Sequence, residues 1–170
     1  MGNELFFVSK VTHLGPGTVH PGSWVKTYDS YKAARIGGGD PWMLVLEQAI
    51  ENERLNHHPT LPSRFSCTFS CLNVEVAMSL NAPAMFGNQP LVIWACELAN
   101  SRSRSHIGTF SIFDCLRNPV SYADVKQIAV DYWKAKHPPQ TQEFISDSPL
   151  RLTRPLFEHV PNQGWRHFQR

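Results

Sequence analysis

Residues 138–152 read PPQTQEFISDSPLRL, and this stretch does most to decide the fold and to locate a site. Its two prolines end any helix before them, and the apolar pair at 144–145 then predicts a short strand. Glu143 stands at the head of that strand, with Gln140 and Gln142 beside it. Such a glutamate is either an ordinary polar residue of a strand edge or a carboxylate placed for chemistry.

The composition of the chain is that of an ordinary globular protein. It has 170 residues, of which 42% are hydrophobic and 18% charged, so it can bury a core, and we expect one domain over residues 1–170. Thirteen prolines and ten glycines favour turns and strands over a helical bundle. The net charge of +2 is too small to indicate nucleic-acid binding by itself.

The four cysteines form no CxxC pair. Cys67 and Cys71 would share one face of a strand with Phe69, which predicts small buried hydrophobic side chains rather than disulfides. Zinc binding by these cysteines with His57 and His58 is the weaker alternative, because structural zinc sites use closer ligand spacing. We therefore expect no metal site.

The first ten residues, MGNELFFVSK, have neither a basic segment nor a long apolar run, so no secretory signal is predicted. No apolar stretch anywhere reaches membrane-spanning length. A cytoplasmic protein without a membrane partner is expected.

The pattern of periodicities predicts an α+β fold without regular βαβ alternation. The first apolar run is expected to be a central strand, and Ser121 with Asp124 forms a capping box that opens the last helix. A helix that starts at Asp40-Pro41 would carry Glu47, Glu53 and Arg54 on a solvated face. The predicted strands cover residues 4–9, 64–71, 91–98, 107–113, 143–145 and 150–152, and the predicted helices cover residues 41–55, 74–80 and 122–136.

Sequence motifs for common chemistries are absent. The stretch GGGD at residues 37–40 lacks the Lys-Ser/Thr of a phosphate loop, and GxGxxG, GxSxG and HExxH do not occur. Arg102 and Arg104 in SRSRS could contact phosphates, although two arginines in a serine-rich loop are usually just solvated.

Three blocks in order resemble the ADP-ribosyltransferase fold, in a bacterial and phage branch of uncharacterised proteins. LFFVSK followed by LGPG, residues 5–10 and 14–17, looks like its first strand and turn. LEQAIENERLNHHPTLPSRF, residues 46–65, resembles a helix that leads to Pro-Ser-Arg. DYWKAKHPPQTQEFISDSPLRL, residues 131–152, resembles an end block in which a helix closes in Tyr-Trp and a strand starts with Glu.

The resemblance implies a compact domain with two small sheets around an NAD cleft and flanking helices. NAD would be the substrate, and its ADP-ribose would pass to a macromolecular acceptor or to water. Glu143 would be the catalytic carboxylate that stabilises positive charge on the ribose, because breaking the bond to nicotinamide resembles glycoside hydrolysis. Gln142 or Gln140 would hold the ribose or receive the acceptor.

The remaining NAD contacts implied by the resemblance lie on three elements. Arg64 would bind the pyrophosphate, and Ser66 and Thr68 would share one strand face toward a ribose hydroxyl, with Phe65 on the other face. Tyr132 would form a wall for the nicotinamide ring or simply pack. The strand that shapes the rest of the site consists of Phe6, Phe7, Val8 and Ser9.

The sequence departs from the family pattern at two points. Phe7 stands where one branch has a ribose-binding His, and Thr141 stands two before Glu143, where relatives have Gln or Glu. His13 could substitute from the loop. The departure at Phe7 leaves open a non-catalytic binding or immunity-type module, and the basic tail at residues 166–170 with the SRSRS loop leaves open nucleic-acid binding.

The acceptor, protein or nucleic acid, is not identified by these patterns. A toxin with an antitoxin or immunity partner is one biological role that the resemblance allows, beside a phage or defence factor.

Overall fold

The computed structural model describes residues 4–10, 14–21, 41–79, 89–112, 121–134 and 137–169, and the structural statements below concern these residues. They form one mixed α+β domain with antiparallel sheets. Its strands are β1 (Leu5–Lys10), β2 (Val19–His20), β3 (Thr68–Ser70), β4 (Leu91–Leu98), β5 (Ser105–Thr109), β6 (Gln142–Ser146), β7 (Leu150–Val160) and β8 (Gly164–His167). Its helices are α1 (Pro41–His57), α2 (Val74–Ser79) and α3 (Tyr122–Trp133), and a short 3₁₀ turn covers Pro139–Thr141.

Among the described residues, the larger sheet has the order β1-β4-β7-β2, and β8 pairs with β7. The apolar run of β4 lies inside this sheet, which confirms the predicted buried strand. The prediction that β1 is central was wrong, because β1 is the terminal strand of this sheet. Its run is apolar nonetheless because Phe7 packs in one hydrophobic cluster while Phe6 and Val8 pack in another.

The smaller described sheet has the order β3-β6-β5. A backbone bridge joins the outer edge of β1 to the residue after β3. The amide of Phe6 donates to the carbonyl of Cys71 over 2.9 Å, and the amide of Cys71 donates back over 2.7 Å. The two sheets are therefore connected at the end of β3.

Helices α1 and α3 pack together on one face of the smaller sheet. Leu46 and Ile50 of α1 meet Ala129 and Trp133 of α3 in a cluster that includes Ile145 of β6. The Trp133 indole also donates to the carbonyl of Ile50 over 3.0 Å. The two residues on each helix are four apart, as expected for the apolar face of an amphipathic helix.

The helix starts agree with the predicted signals where they are described. Ser121 and Asp124 form the reciprocal capping box of α3, and the Asn73 side chain caps α2 by accepting from the amide of Val76 at 2.7 Å. Helix α1 begins at Pro41, while the predicted cap at Asp40 lies outside the described residues. Within the described residues, none of the helices is long and apolar enough to cross a membrane.

The predicted strand over residues 64–71 was wrong in its first half. Ser63 draws this segment into a turn, because its hydroxyl accepts from the amide of Phe65 and its carbonyl accepts from the amides of Ser66 and Cys67. Such local bonds compete with pairing in a sheet. The strand therefore begins only at Thr68.

The C-terminal strands are longer than predicted. Strand β7 runs eleven residues to Val160, and a turn with positive φ at Asn162 and Gly164 returns the chain as β8. Pro155 lies opposite Trp94 at a shift of register in the β4–β7 ladder. A bulge of this kind tolerates the missing amide of proline, which a regular inner strand would not.

Candidate functional site

Arg64 and Glu47 form a fully buried ion pair between the turn before β3 and helix α1. The guanidinium donates from Nε to one carboxylate oxygen at 2.9 Å and from Nη2 to the other at 3.0 Å. Their side chains are 1% and 0% exposed. This two-pronged geometry fixes the plane of the guanidinium and leaves Nη1 for other partners.

Glu143 and Tyr132 complete the network at Nη1 of Arg64. That nitrogen donates to Oε1 of Glu143 and to the Tyr132 hydroxyl, the latter over 2.7 Å. The hydroxyl in turn donates to the same Oε1 over 2.7 Å. Glu143 is therefore turned inward, with its side chain 8% exposed, and is held by two donors.

The alternation of β6 explains why a glutamate lies here. Glu143 and Ile145 project from the same face of the strand, and Ile145 belongs to the cluster between the small sheet and the two helices. Phe144 projects from the other face and packs in the cluster that contains Phe7. The network of Glu47, Arg64, Tyr132 and Glu143 thus occupies the layer between the small sheet and the helices.

Gly108 makes room for Tyr132 in this layer. It pairs with Glu143 across the β5–β6 ladder, so the two residues face each other on neighbouring strands. A Cβ at this glycine would lie 2.4 Å from the Tyr132 hydroxyl and from the ring carbon that carries it. We did not predict a role for Gly108, and the only signal was a glycine inside a strand pattern, which often marks a close approach.

Burial and charge act against each other in the network. Burial alone would lower the pKa of Arg64, but the carboxylates of Glu143 and Glu47 outweigh it, so this pKa lies well above its ordinary value. Burial also raises the pKa of Tyr132 well above its ordinary value, against the opposing effect of Arg64. Both groups therefore remain protonated donors at neutral pH.

A second buried arginine pair lies one helical turn away on α1. Arg54 donates to both carboxylate oxygens of Glu51, at 2.7 and 3.1 Å, and to the carbonyls of Pro59 and Leu61, both at 3.3 Å. The hydroxyl of Ser63 donates to Glu51 as well. Arg54 thus holds the loop after α1 through the carbonyls of Pro59 and Leu61.

The predicted solvated face of α1 was wrong for two of its three residues. Glu47 is fully buried and Arg54 is 8% exposed, whereas Glu53 is half-buried beside His57. A helical pattern read alone cannot show that a charged residue has a partner on another segment, and pairing is what permits such burial.

Thr68 and Ser66 do not share a strand face as predicted. The Thr68 hydroxyl is buried against the carbonyls of Ser146 and Ser148, at 3.1 and 2.8 Å. Ser66 is exposed on the turn before the strand, and Phe65 on the same turn is half-buried. Thr68 therefore holds the loop after β6 in place.

The residues of β1 lie apart from Glu143. The ring of Phe7 packs against that of His20 in a tilted arrangement, with 4.6 Å between the ring centroids, and the hydroxyl of Ser9 accepts from the Trp94 indole at 3.1 Å. Because Phe7 packs with Phe144, it lies on the opposite side of β6 from Glu143. The structure brings together Glu143, Arg64 and Tyr132 from the predicted site, but not Phe7.

The remaining residues of the predicted site are Gln142, Gln140 and His13. The Gln142 amide donates to the carbonyl of His137 at 2.7 Å and so closes the loop after α3. Gln140 is exposed on the 3₁₀ turn, and His13 lies outside the described residues.

Two histidines surround the end of α3. The Nε2 atoms of His106 and His137 lie 3.3 and 3.0 Å from the carbonyl oxygen of Tyr132. The ring of His106 also lies 4.9 Å from that of Trp133. Burial lowers the pKa of His106 from its ordinary value of 6.5, more than its bond to Tyr132 raises it.

Two of the arginines considered for nucleic-acid binding, Arg104 and Arg166, form ion pairs on the surface. The Nε atom of Arg104 lies 2.6 Å from Oδ2 of Asp147. The Nε atom of Arg166 lies 2.9 Å from Oε1 of Glu158 across the β7–β8 hairpin. Such exposed pairs contribute little to stability.

The described cysteines, Cys67, Cys71 and Cys96, are buried with free thiols, as predicted for small hydrophobic side chains, while Cys115 lies outside the described residues. Burial raises the pKa of Cys71 and of Cys96 to about 12, so these thiols are unreactive at neutral pH. In the described part of the chain, no three His, Cys, Asp or Glu side chains are grouped closely enough to hold a metal ion.

A comparison of the sequence with known protein families and with curated proteins finds no match to either.

Proposed function

We propose that this protein binds NAD and either transfers its ADP-ribose to a macromolecular acceptor or hydrolyses it. The observation that carries the proposal is the buried carboxylate of Glu143, which Arg64 and Tyr132 hold in one orientation through Oε1. Its support comes from the sequence resemblance and from the fit of a fixed carboxylate to the chemistry of the reaction.

The reaction requires a negative group near the sugar. As the bond between ribose C1 and the nicotinamide nitrogen breaks, its electron pair passes to nicotinamide, and positive charge develops on the ribose. The described residues donate no hydrogen bond to Oε2 of Glu143. We propose that this oxygen faces the ribose, where a preorganised charge lowers the barrier without reorienting during the reaction.

The test replaces Glu143 by Gln and measures nicotinamide release from NAD and transfer of labelled ADP-ribose to lysate protein and nucleic acid. Removing a fixed charge at the reacting centre should lower the rate of nicotinamide release about 10²–10³-fold. Glu97→Gln is the control, because the side chain of Glu97 is 57% exposed and pairs only weakly with Arg151. A folded Glu143→Gln protein that releases nicotinamide at the unaltered rate contradicts the proposal.

A non-catalytic binding module is the second candidate. The observation that favours it is Phe7, whose ring packs against His20 and lies on the far side of β6 from Glu143. At this position β1 therefore offers no polar side chain that could bind NAD near that carboxylate. Titration of the unfolding temperature with NAD separates the candidates, since ligand binding to the native state raises it. No shift at millimolar NAD favours the module, and a shift with nicotinamide release favours the enzyme.

A further inference from the structure

Glu47 is a buried charged residue to which the proposed reaction gives no direct role. It occupies both Nε and Nη2 of Arg64, at 2.9 and 3.0 Å, and is 0% exposed. The guanidinium therefore presents only Nη1 toward Glu143 and Tyr132. The two hydrogen bonds to Glu47 fix the orientation of the planar guanidinium. Glu47 therefore sets the position of Nη1.

Glu47 also changes the net charge of the network. Among the residues that the structure describes, one guanidinium contacts two carboxylates, so the formal charges of Arg64, Glu47 and Glu143 sum to minus one. With Arg64 and Glu143 alone, the pair would be neutral and would present a weak field to a cation beside it. Because Glu47 is buried, water does not screen its charge, and it offsets the charge that Arg64 would otherwise direct at Glu143.

We propose that Glu47 is a positioning residue that fixes Arg64 and offsets its charge. Glu143 then keeps a net negative field toward a sugar cation. This inference rests on the proposed function. The substrate class that this field favours carries a cationic leaving group on a ribose. In the step itself, the C1–N bond breaks with its electron pair going to the ring nitrogen. Water or an acceptor nucleophile then bonds to C1 and loses a proton.

The test compares Glu47→Gln with Glu51→Gln. Glutamine keeps the shape of the side chain, but its amide nitrogen cannot accept from Arg64, and the formal charge of the network becomes zero. Glu51 is the matched control, because it lies one turn along α1 and grips Arg54 through both oxygens in the same way without contacting Glu143.

We expect Glu47→Gln to lower kcat for nicotinamide release about 10–100-fold. The KM for NAD should change less than about threefold, because the lost interaction acts on the transition state. Glu51→Gln should keep the kcat of the wild type. An unchanged kcat in folded Glu47→Gln, or an equal loss in Glu51→Gln, overturns the assignment.

An NMR measurement separates this inference from the proposed function. The Nε–H proton of Arg64 should exchange slowly with water in the wild type and in Glu51→Gln, and fast in Glu47→Gln. Fast exchange in the wild type overturns the positioning role, and that measurement needs no variant to fold. A wild type without nicotinamide release overturns the proposed function and the charge role with it, whereas slow exchange that Glu47→Gln abolishes still supports the positioning of Arg64.

Discussion

Arg64 joins three segments that are distant in sequence, namely α1, the end of α3 and the start of β6. Its donors reach Glu47, Tyr132 and Glu143, and it is 1% exposed. Breaking a buried pair by removing one partner costs about 3–5 kcal/mol, because the other charge is left uncompensated. The buried charged groups are therefore needed for the stability of the fold as well as being candidates for catalysis.

Tyr132→Phe tests the network at a single atom. The variant keeps the ring but removes the hydroxyl that donates to Glu143 and accepts from Arg64, so we expect a loss of about 1–3 kcal/mol in the free energy of unfolding. Urea denaturation measures this loss. Tyr122→Phe on the same helix is the control, because Tyr122 is 56% exposed and its hydroxyl should matter little. Equal stability of the two variants would show that the buried hydroxyl is not needed.

At the scale of elements, the position of α3 depends on the strand that it crosses. Helix α3 ends at Tyr132 and Trp133, and the phenol of Tyr132 passes over β5 at Gly108, opposite Glu143. Because Gly108 has no side chain, the helix approaches β5 closely enough for the Tyr132 hydroxyl to reach the Glu143 carboxylate. Helix, strand and network are therefore coupled through one missing side chain.

Gly108→Ala should push the ring of Tyr132 away from β5. The added methyl group would meet ring atoms at 2.4–2.5 Å, so we expect overpacking to cost about 1–3 kcal/mol in urea denaturation. Gly15→Ala is the control, since nothing lies within 4 Å of its Cβ position. In a Tyr132→Leu background, which lacks the clashing atoms, Gly108→Ala should cost much less. A full cost in both backgrounds would place the strain elsewhere.

At the scale of the whole molecule, the smaller sheet lies between two different environments. One face carries α1, α3 and the ion network, and Phe144 on the other face packs with residues of the larger sheet. His106 lies in the helix-facing layer, 8% exposed, beside the rings of Tyr132 and Trp133. A charge that appears on this ring must be accommodated by packing of the whole layer.

Stability should fall in mild acid because of His106. Burial lowers its pKa in the folded state, so the unfolded chain binds a proton near pH 6.5 while the folded protein does so only at lower pH. The free energy of unfolding then decreases as pH falls below about 7, by at most about 1.4 kcal/mol per pH unit from this group.

Urea denaturation between pH 7.5 and 5 checks this dependence. His106→Gln should show a shallower slope than the wild type, and His57→Gln, whose side chain is 64% exposed in the wild type, should keep the wild-type slope. A parallel pH dependence in wild type and His106→Gln would exclude His106 as its source.

The sequence by itself determined the elements whose signals are local. The capping box at Ser121, the cap at Asn73, the start of α1 at Pro41 and the buried run of β4 are each set by a few neighbouring residues, and each appears where predicted. The mixed α+β class followed from these elements. The NAD chemistry remains a proposal that the resemblance and Glu143 support.

Only the tertiary structure decided the environment of the polar residues. Glu47, Arg64 and Glu143 are far apart in the chain, and charged residues are buried only when a partner meets them, which no local pattern reveals. The same reason hid the role of Gly108, since the space it leaves is filled by a helix that begins 14 residues later at Tyr122. Local order came from neighbours in sequence, whereas charge burial came from neighbours in space.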